Sequence, residues 1–492
     1  MSDSTRWARR ATTYVAALAL LAAVQSATAS ARPRPGRVAS AAATTDWPAY
    51  LDGPLHSSFN AADTAITPAN ASNLSEVWHW EPPKPTMHGQ PPGLQSSPIV
   101  SAGRIYIGSR TGNFYALDEA TGKVLWSHFF GFRPHLTCSA QGFISTATVA
   151  VDPSSGKPAV YVADPSGYLD AMDAATGAIL WQSVIAIPSS TVSDYFDWSS
   201  PTVANGHIYV GISSQCDHPL VQAGAIAYDQ ATGHTLATYF VAPSGVLGGS
   251  IWSSAAVLAD GSVVVTTGNE QKTLEVGDDY SVVHLNGNTM AKIDSFQIPK
   301  AQLPGSDNDF GGSPTSFAAS IDATPTQLVG ACNKNGVYYA LNQANFAAGP
   351  VWTMKVGDAF PTDPNQPGQC DAAAAWDGVD LYIGGNGTTI NGKTVVGSIS
   401  QVNPATGVPI WRTGLPGEVI GSPSLDGAGV VAAPMMGSSS GNGVALVNAS
   451  TGAILTTLTS SAAVFAQPVF ANGMLFVAAG GAEGLRAYAP GS

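Results

Sequence analysis

Residues 112–126 read GNFYALDEATGKVLW, and residues 167–181 read GYLDAMDAATGAILW. The two stretches share an Asp, a Thr-Gly pair and a final Trp at the same spacing. In each, an apolar and aromatic run precedes the Asp and a second apolar run follows the Gly, which predicts two β-strands joined by a tight turn. The Asp side chain can hydrogen-bond the turn backbone, and Gly supplies the positive φ that such a turn needs.

This unit recurs along the whole chain, with about 55 residues between the first two copies. Two more strand-like runs precede the turn in each complete copy, so one repeat predicts a four-stranded antiparallel blade. The Trp that closes several copies is expected to pack between neighbouring blades. Further copies of the turn lie at residues 225–233, 281–289, 337–342, 404–411 and 448–455.

Seven turns are recognisable, and the two ends of the chain supply an eighth blade. The last unit, residues 470–490, contains only three strand-like runs, whereas residues 74–80 (LSEVWHW) have no partner. Pairing these two segments closes a ring and leaves no open sheet edge. The sequence thus predicts an all-β fold, an eight-bladed β-propeller closed by the N-terminal strand. Seven blades remain an alternative if the degenerate copy at 281–289 is an insertion.

The composition supports a strand-rich fold and excludes several functions. Charged residues make up 11% of the 492 residues, against about 25% in typical soluble proteins. Gly and Pro are abundant, at 53 and 34 residues, which favours short strands and turns over helix bundles. A net charge of −13 argues against nucleic acid as a partner.

The N-terminus has the pattern of a secretory signal peptide. Three arginines precede an apolar run at 15–24, and small residues follow at 27–31. We expect a signal peptide at 1–31, a flexible tether at 32–45 and one propeller domain at 46–492. No later segment reaches about 18 uninterrupted apolar residues, so the sequence predicts no membrane span and a secreted or extracytoplasmic protein.

Four cysteines in an exported chain suggest two disulfides. Cys138 and Cys370 precede the first strand of their blades, whereas Cys216 and Cys332 follow a second strand. In an up-down-up-down blade both positions lie on the same face. Joining nearby units predicts the pairs Cys138–Cys216 and Cys332–Cys370, since the other pairings would bridge more distant blades.

The turn pattern Ala-x-Asp-x-x-x-Gly-x-x-x-Trp, at 116–126 and 171–181, resembles the tryptophan-docking repeat of the pyrroloquinoline-quinone (PQQ) dehydrogenases. The segment at 47–52 (WPAYLD) and the one at 66–70 (ITPAN) resemble the start of the mature enzymes of that family. The resemblance covers residues 46–490 and is greatest to polyvinyl-alcohol dehydrogenase and related enzymes. It implies PQQ and calcium as cofactors.

Four segments resemble the family's functional motifs in the family's order. In GGSIW (248–252), the resemblance makes Trp252 the floor under the quinone, and in TTGN (266–269) it makes Asn269 a calcium ligand. The segment at 304–310 (PGSDNDF) resembles the one that carries the family's catalytic Asp, and the spacing does not decide between Asp307 and Asp309. Because Asp309 directly precedes the start of an innermost strand, which points into the funnel, we expect Asp309 to be the base and a metal ligand and Asp307 to be a supporting acid. In NKNG (333–336), the resemblance implies that Lys334 bonds the reactive carbonyl.

Further site residues follow from the resemblance, with departures from the family pattern. Gln95 stands where a glutamate is expected, and Asp217 is the nearest carboxylate to an expected glutamate ligand after Ser213. The resemblance places Ser213, Gln95 and Asn335 at the cofactor and Asp217 at the metal. The family's vicinal cysteine pair and the arginine that follows it are absent around Cys138.

The residue types suit the chemistry that the resemblance implies. An indole face offers stacking area to a flat ring, and Ca²⁺ prefers oxygen ligands such as those of Asn and Asp. A carboxylate within hydrogen-bond reach can remove an alcohol proton. No Cys-x-x-Cys-His occurs, so electrons would pass to a separate acceptor such as a cytochrome. The expected function is oxidation of an alcohol, secondary or polymeric. The alternative is a non-catalytic propeller that binds protein or glycan, as in BamB-type scaffolds, which share the repeat.

Overall fold

Eight antiparallel sheets form the computed structural model of this chain; seven have four strands, and one has four strands plus a fifth, parallel strand. The structure describes residues 45–135, 138–189, 194–269, 277–303, 307–357, 370–437 and 441–491. Consecutive strands pair within each sheet, which is the arrangement of propeller blades, so the predicted all-β, eight-bladed propeller is confirmed. The expected signal peptide (1–31) and all but the last residue of the expected tether (32–45) lie outside the described residues.

The first four blades follow one another along the chain, each running from its innermost to its outermost strand. Blade 1 consists of Ile99–Ser101, Arg104–Gly108, Asn113–Asp118 and Val124–Phe129, and blade 2 of Thr148–Val151, Pro158–Ala163, Tyr168–Asp173 and Ile179–Val184. Blade 3 consists of Thr202–Ala204, His207–Ile212, Gly224–Asp229 and Thr235–Phe240, and blade 4 of Ala256–Val257, Val263–Thr266, Ser281–Leu285 and Lys292–Gln297. The degenerate copy is therefore a regular blade, which removes the seven-blade alternative.

The remaining blades repeat this order, with one inserted hairpin and one extra strand. Blade 5 consists of Thr315–Ile321, Thr324–Asn333, Val337–Asn342 and Pro350–Lys355, and blade 6 of Ala375–Trp376, Leu381–Asn386, Gly397–Val402 and Pro409–Leu415. Blade 7 consists of Ser424–Asp426, Val430–Met435, Gly443–Asn448 and Ile454–Thr459, and the C-terminal strands of blade 8 are Val469–Ala471, Met474–Ala479 and Gly484–Pro490. The hairpin is Thr389–Ile390 with Lys393–Thr394, and Phe59–Asn60 adds a parallel strand to blade 7. Four short 3₁₀ turns are Tyr50–Asp52, Ala71–Asn73, Lys300–Gln302 and Phe346–Ala348.

The N-terminal strand Leu74–Trp80 closes the ring. It is the outermost strand of blade 8 and pairs antiparallel with Gly484–Pro490. The two ends of the chain therefore share one sheet, as predicted from the unpaired segments. Trp78 of this strand also lies against Gly122, the turn glycine of blade 1, which links blade 8 to its neighbour.

The docking tryptophans join each blade to the next. The ring of Trp126 lies 2.7 Å from where a Cβ on Gly177 would sit, so only glycine fits at that turn, where φ is also positive. The Trp126 indole Nε1 donates to Ala174 O at 3.2 Å. The predicted interblade role of these tryptophans is confirmed. The same glycine contact recurs in the pairs Trp181–Gly233, Trp352–Gly407 and Trp411–Gly452.

Hydroxyl groups link the blades around the axis, just before each innermost strand. A backbone N–H of one blade donates to a side-chain hydroxyl of the next. The bonds run from Ser97 to Thr146 (2.9 Å), Thr146 to Ser200 (3.0 Å), Ser200 to Ser254 (2.9 Å), Ser254 to Ser313 (2.9 Å), Ala373 to Ser422 (3.1 Å) and Gln467 to Ser97 (2.9 Å). We call this set the hydroxyl ring.

The segment at 47–58 crosses the axis and accepts hydrogen bonds from six blades. We call it the plug. Each donor lies three residues beyond the hydroxyl-ring position of its blade, about 10 Å further along the innermost strand. The donor–acceptor pairs are Val100–Trp47, Val149–Pro48, Val257–Pro54, Ser316–Leu55, Trp376–Ser57 and Leu425–Ser58. The sequence did not reveal this role.

Both predicted disulfides are present: Cys138 pairs with Cys216, and Cys332 with Cys370. Cys216 lies in the loop after the second strand of blade 3, and Cys138 lies between blades 1 and 2, so the first disulfide connects two loops. The second joins blade 5 to the segment that enters blade 6. No helix among the described residues is long and apolar enough to cross a membrane.

Candidate active site

The candidate site lies at the end of the propeller where innermost strands begin and second strands end. In an antiparallel blade these two points share one face, so segments far apart in the chain meet there. The loop after the second strand of blade 3 carries Asp217, and the corresponding loops of blades 4 and 5 carry Asn269 and Lys334. The segments entering blades 4 and 5 carry Trp252 and Asp309. The structure thus brings together the main residues that the sequence predicted.

Lys334 forms the centre of this cluster. Its Nζ lies 2.8 Å from Asp307 Oδ1, 3.0 Å from Asp307 Oδ2 and 3.5 Å from Asp309 Oδ2. It also stands 5.2 Å from the centre of the Trp252 ring, within range of a cation–π contact. The Lys334 side chain is only 16% exposed, so the ammonium is held mainly by protein groups.

The two carboxylate oxygens of Asp309 have different surroundings. Oδ2 accepts a hydrogen bond from Trp252 Nε1 at 2.9 Å, whereas Oδ1 is buried and has no hydrogen-bond partner. Burial raises the pKa of Asp309 to about 7, although the charge of Lys334 acts in the opposite direction. A Cβ on Gly268 would lie 2.7 Å from Oδ1, so glycine keeps the space beside this oxygen open.

Asn269 connects the lysine cluster to blade 3. Its Nδ2 donates to Asp217 Oδ2 at 2.9 Å and to Asp307 Oδ1 at 3.3 Å. Asp217 is held in turn by Ser214, whose hydroxyl donates to Asp217 Oδ1 at 2.5 Å. Cys216, the residue before Asp217, is bonded to Cys138, which anchors this loop.

The donor set fits a hard divalent cation. Asp217, Asp307 and Asp309 bring three negative charges, and Lys334 offsets one. The Asn269 amide turns its Nδ2 toward Asp217 and Asp307, while its Oδ1 accepts a hydrogen bond from Asn308 N at 3.1 Å. Ca²⁺ takes oxygen ligands of this kind, and the unpartnered Oδ1 of Asp309 is a buried acceptor in need of a donor or a cation.

The carboxylate oxygens of Asp217, Asp307 and Asp309 do not all lie close enough to one another to hold one ion. Among the described residues, the one set of three potential metal ligands within 4.8 Å of one another is His135, Cys138 and Cys216. Its two cysteines are joined in a disulfide, so they offer no thiolate. At the candidate site the Lys334 ammonium stands between Asp307 and Asp309 instead.

A cavity of about 70 Å³ lies beside Trp252, smaller than the usual ligand pocket. Tyr50 of the plug lies on its wall together with members of the hydroxyl ring. Gln95 also lines it, and the buried Oε1 of Gln95 has no hydrogen-bond partner. The remaining wall residues are Ser97, Ile144, Thr146, Trp198, Ser253, Ser254, Gly311, Ser313, Phe465 and Gln467.

Two predicted cofactor residues lie outside the cluster. The Ser213 hydroxyl donates to Phe196 O at 2.7 Å. The Asn335 amide donates to Tyr339 OH at 2.8 Å and accepts from Val337 N at 3.0 Å. Both side chains therefore hold the backbone of the loops that carry Asp217 and Lys334.

Sequence reasoning missed two residues near Trp252. Trp252 stands two residues before Ser254, the hydroxyl-ring residue of blade 4. Trp198 likewise stands two residues before Ser200, the hydroxyl-ring residue of blade 3. Asp371 has this place in blade 6, two residues before Ala373. Aligning the repeats at the hydroxyl-ring position, rather than at the Asp-x-x-Thr-Gly turn, would have found both.

A family model described as "PQQ: Glucose/ethanol/alcohol dehydrogenase, beta-propeller domain" matches residues 47–355. This chain belongs to the PQQ β-propeller family. Residues 395–491 match a second model, described as "Outer membrane protein assembly factor BamB". The resemblance inferred from the repeats is confirmed.

Curated relatives of this PQQ-family chain include alcohol dehydrogenases. It is 24% identical over 348 residues to a quinohemoprotein alcohol dehydrogenase of Comamonas testosteroni, covering 62% of this chain and 46% of that protein. It is 26% identical over 320 residues to the polyvinylalcohol dehydrogenase of a Sphingopyxis species, covering 54% and 45%. The chain therefore spans less than half the length of these relatives.

Solved structures share the fold. The Comamonas testosteroni quinohemoprotein alcohol dehydrogenase superposes with a TM-score of 0.70 at 17% identity, covering 91% of this chain and 81% of that one. A europium-containing methanol dehydrogenase gives 0.68 at 15% identity, covering 89% and 90%. BamB from Moraxella catarrhalis gives 0.51 at 15% identity, covering 84% and 97%. At these identities the likeness concerns the fold alone.

Proposed function

We propose that this PQQ-family chain is a secreted dehydrogenase that oxidises an alcohol with PQQ and calcium. The observation that carries the proposal is the environment of Asp309. A buried carboxylate has one oxygen fixed by Trp252 and the other left without a partner, next to the ammonium of Lys334. A group placed in this way is suited to take a proton from a bound hydroxyl.

Each residue of the cluster has a separate task in the proposal. Trp252 offers an indole face on which a flat ring can stack, and Lys334 can donate a hydrogen bond to a carbonyl oxygen above that face. The Oδ1 of Asp309 accepts the alcohol proton. The chemistry that PQQ supplies when bound is uptake of the hydride from the alcohol carbon.

Calcium would be held by Asn269, Asp309 and Asp217. These groups offer the amide and carboxylate oxygens that Ca²⁺ prefers, and the Ser214 hydroxyl already orients Asp217. Gln95 would face the bound cofactor from the cavity wall. Ser213 and Asn335 would act indirectly by holding the two loops in place.

The substrate and the electron acceptor are proposed from the relatives. The likeness to a polyvinylalcohol dehydrogenase favours a secondary or polymeric alcohol. Another relative is named "1-butanol dehydrogenase (cytochrome c)", from Thauera butanivorans, at 30% identity over 146 residues. We therefore propose a separate cytochrome-type acceptor outside the cytoplasm.

Titration of the full-length mature protein with PQQ tests the proposal. We expect PQQ to quench tryptophan fluorescence in the presence of Ca²⁺, and the loaded protein to reduce an artificial dye with secondary alcohols. Trp252→Phe should lose much of the quenching, whereas the matched Trp411→Phe, at an interblade position, should retain it. A wild-type protein that neither quenches nor reduces the dye would contradict the proposal.

A binding scaffold is the second candidate. It is favoured by the match of residues 395–491 to the BamB model. On this alternative the protein would bind a protein or glycan and ignore PQQ. The same titration therefore separates the two functions.

A further inference from the structure

A histidine lies against the disulfide that joins the loops of blades 2 and 3. His135 Nδ1 lies 3.9 Å and His135 Nε2 3.8 Å from Cys216 Sγ, and Cys216 is bonded to Cys138. One ligand atom from each of the three residues lies within 4.8 Å of the others. Imidazole nitrogen and thiolate sulfur are the ligands that zinc prefers. The residue types therefore match a metal site whose two sulfurs are bonded to each other in the oxidised chain.

The spacing of these atoms is close to that of a tetrahedral zinc site. Zinc lies about 2.3 Å from sulfur and about 2.0 Å from nitrogen, so sulfur and nitrogen ligands stand about 3.5 Å apart and two sulfurs about 3.8 Å apart. The distances from His135 to Cys216 already have this size. Once the S–S bond is broken, only the sulfurs have to separate. Because the Cα atoms of Cys138 and Cys216 are 6.6 Å apart, side-chain rotation can supply that change.

The histidine is in the state that a metal ligand needs. The backbone N–H of Cys138 donates to His135 Nδ1 at 3.1 Å, so this nitrogen carries a lone pair rather than a proton. A ligating imidazole nitrogen must be unprotonated. A cation between the sulfurs and Nδ1 would take the place of this donor.

The loop that carries His135 and Cys138 is held by bonds other than the disulfide. Arg133 and Gln141 exchange two backbone hydrogen bonds at its base, of 2.6 and 2.9 Å. Gln141 Oε1 also accepts from Arg110 Nε at 3.2 Å, which ties the loop to blade 1. We therefore expect the loop to keep its place when the disulfide is reduced.

The loop of Cys216 is also bonded to this neighbour through groups other than sulfur. Gln215 Nε2 donates to Ser139 O at 3.2 Å, and Gln215 is only 2% exposed. The Gln215 backbone N–H donates to Asp194 O at 3.0 Å. These bonds keep Cys216 beside Cys138 in the dithiol state.

The second disulfide of the chain lacks these features and serves as an internal comparison. Cys332 and Cys370 are both fully buried among apolar side chains, including Trp352. Among the described residues, neither belongs to a set of three potential metal ligands. Cys138 and Cys216 are half-buried, so a reductant and a cation can reach them from solvent.

We propose that His135, Cys138 and Cys216 bind a zinc-type divalent cation when their disulfide is reduced. A dithiol or phosphine reductant supplies two electrons and solvent supplies two protons, so the S–S bond becomes two S–H groups. The cation then displaces both protons to solvent. Metal binding and disulfide formation therefore exclude each other, and either one cross-links the same two loops. The proposal does not depend on PQQ or calcium.

Titration of the full chain with Co²⁺, after reduction by a phosphine without oxygen, tests the proposal. We expect the near-ultraviolet absorption of cobalt bound to thiolate, with one ion per chain, and its loss when Zn²⁺ displaces the cobalt. The oxidised chain should show none of it. A reduced wild type without this absorption would overturn the proposal.

Variants show which residues hold the ion. His135→Ala should weaken Co²⁺ binding by at least about tenfold, because a ligand is lost. His234→Ala removes an exposed turn histidine of blade 3 and should have no effect. The double variant Cys138→Ser with Cys216→Ser keeps the thiols of the second pair and should lose the absorption. Unchanged binding in His135→Ala or in the double variant would contradict the assignment.

A variant that needs no reductant covers the case in which the reduced chain unfolds. Cys138→His cannot form the disulfide but still offers three nitrogen or sulfur ligands, so Zn²⁺ should bind and raise its melting temperature. Cys138→Ser has one ligand fewer and should bind at least about tenfold more weakly. Equal affinities of the two variants for Zn²⁺ would overturn the proposal.

Discussion

The two carboxylate oxygens of Asp309 have different hydrogen-bond surroundings, and this difference decides what the side chain can do. One oxygen is held by Trp252 and the other has no hydrogen-bond partner, whereas Asp307 is paired with Lys334 through both oxygens. Asp309 can therefore accept a proton with little rearrangement. Asp307 mainly sets the position of the lysine.

Substitution of Asp309 should separate binding from turnover. We expect Asp309→Asn to lower kcat by roughly 10²–10⁴-fold while quenching by PQQ persists, because the amide keeps the shape but cannot take a proton. Asp307→Asn should have a smaller effect. Dye-reduction kinetics beside fluorescence titration measure both. Full activity of Asp309→Asn with an inactive Asp307→Asn would reverse the assignment.

A second group of buried carboxylates lies in blade 2 and in the segment that enters blade 3. Burial raises the pKa of Asp170 to about 8, and the nearby charge of Asp164 adds to this rise. Burial likewise raises the pKa of Asp164 to about 6 and that of Asp197 well above its usual value. Between about pH 4 and pH 8 the folded state therefore holds protons that the unfolded chain has lost.

These protons make the fold less stable as the pH rises. The free energy of unfolding should fall between pH 5 and pH 8, by at most about 1.4 kcal/mol per pH unit for each retained proton. Asp170→Asn should flatten this slope and raise the melting temperature at pH 8. The control is the exposed Asp322→Asn. Equal slopes for Asp170→Asn and the wild type would contradict the prediction.

At the scale of elements, the docking tryptophans make the same packing contact with the turn glycine of the next blade, but their indole N–H groups differ in hydrogen bonding. Trp126 Nε1 donates to Ala174 O, but the buried Nε1 of Trp181 has no partner. Both rings lie against the turn glycine of the next blade. The packing is therefore shared, and only the hydrogen bond differs.

Replacing each indole by a phenyl ring isolates that bond. Trp126→Phe should destabilise the protein by at most about 1 kcal/mol more than Trp181→Phe, because Ala174 O keeps its hydrogen bonds from Tyr106 OH and Arg104 Nη1 when the indole is lost. Trp181→Phe loses packing area but also removes an unpaired N–H. Urea unfolding measures both differences. A larger loss for Trp181→Phe would show that packing outweighs the bond.

At the scale of the whole molecule, two N-terminal segments hold the ring together in different ways. The closing strand Leu74–Trp80 completes blade 8, and the plug at 47–58 accepts backbone hydrogen bonds from six blades. The closing strand covers the otherwise open outer edge of blade 8, and the plug connects the innermost strands at the axis. The closing strand pairs with residues more than 400 positions away, whereas the plug bonds join residues 53 (Trp47–Val100) to 367 (Ser58–Leu425) positions apart.

Two truncations separate these roles. A chain beginning at residue 61 keeps the closing strand but loses the plug. It should fold with a lower melting temperature, having lost several bonds worth about 1 kcal/mol each. A chain beginning at residue 82 also loses the closing strand and should not form a stable monomer, because blade 8 then has an open edge. Circular dichroism and gel filtration compare the two. A stable monomer from the shorter chain would contradict the role of closure.

The repeat allowed much of the fold to be predicted from the sequence. The Asp-x-x-Thr-Gly turn and its Trp are local signals, because a turn depends on residues a few positions apart. Counting and aligning these turns predicted the number of blades, the closure of the ring by residues 74–80 and both disulfide pairs. The resemblance to a family located Trp252, Asp309 and Lys334, which the fold brings into one cluster.

Tertiary structure alone decided which of the predicted residues meet. Ser213 and Asn335 carry suitable side chains, but their hydrogen bonds are satisfied by neighbouring backbone and by Tyr339, so they hold loops instead. Asp371 had no motif of its own, and its place beside Gly311 and the Trp252 ring arises from the packing of neighbouring blades. The plug likewise has no local pattern. The sequence by itself determined the repeating unit, because neighbouring residues specify strands and turns. The positions of the site residues depended on how eight such units close around one axis, which no local pattern encodes.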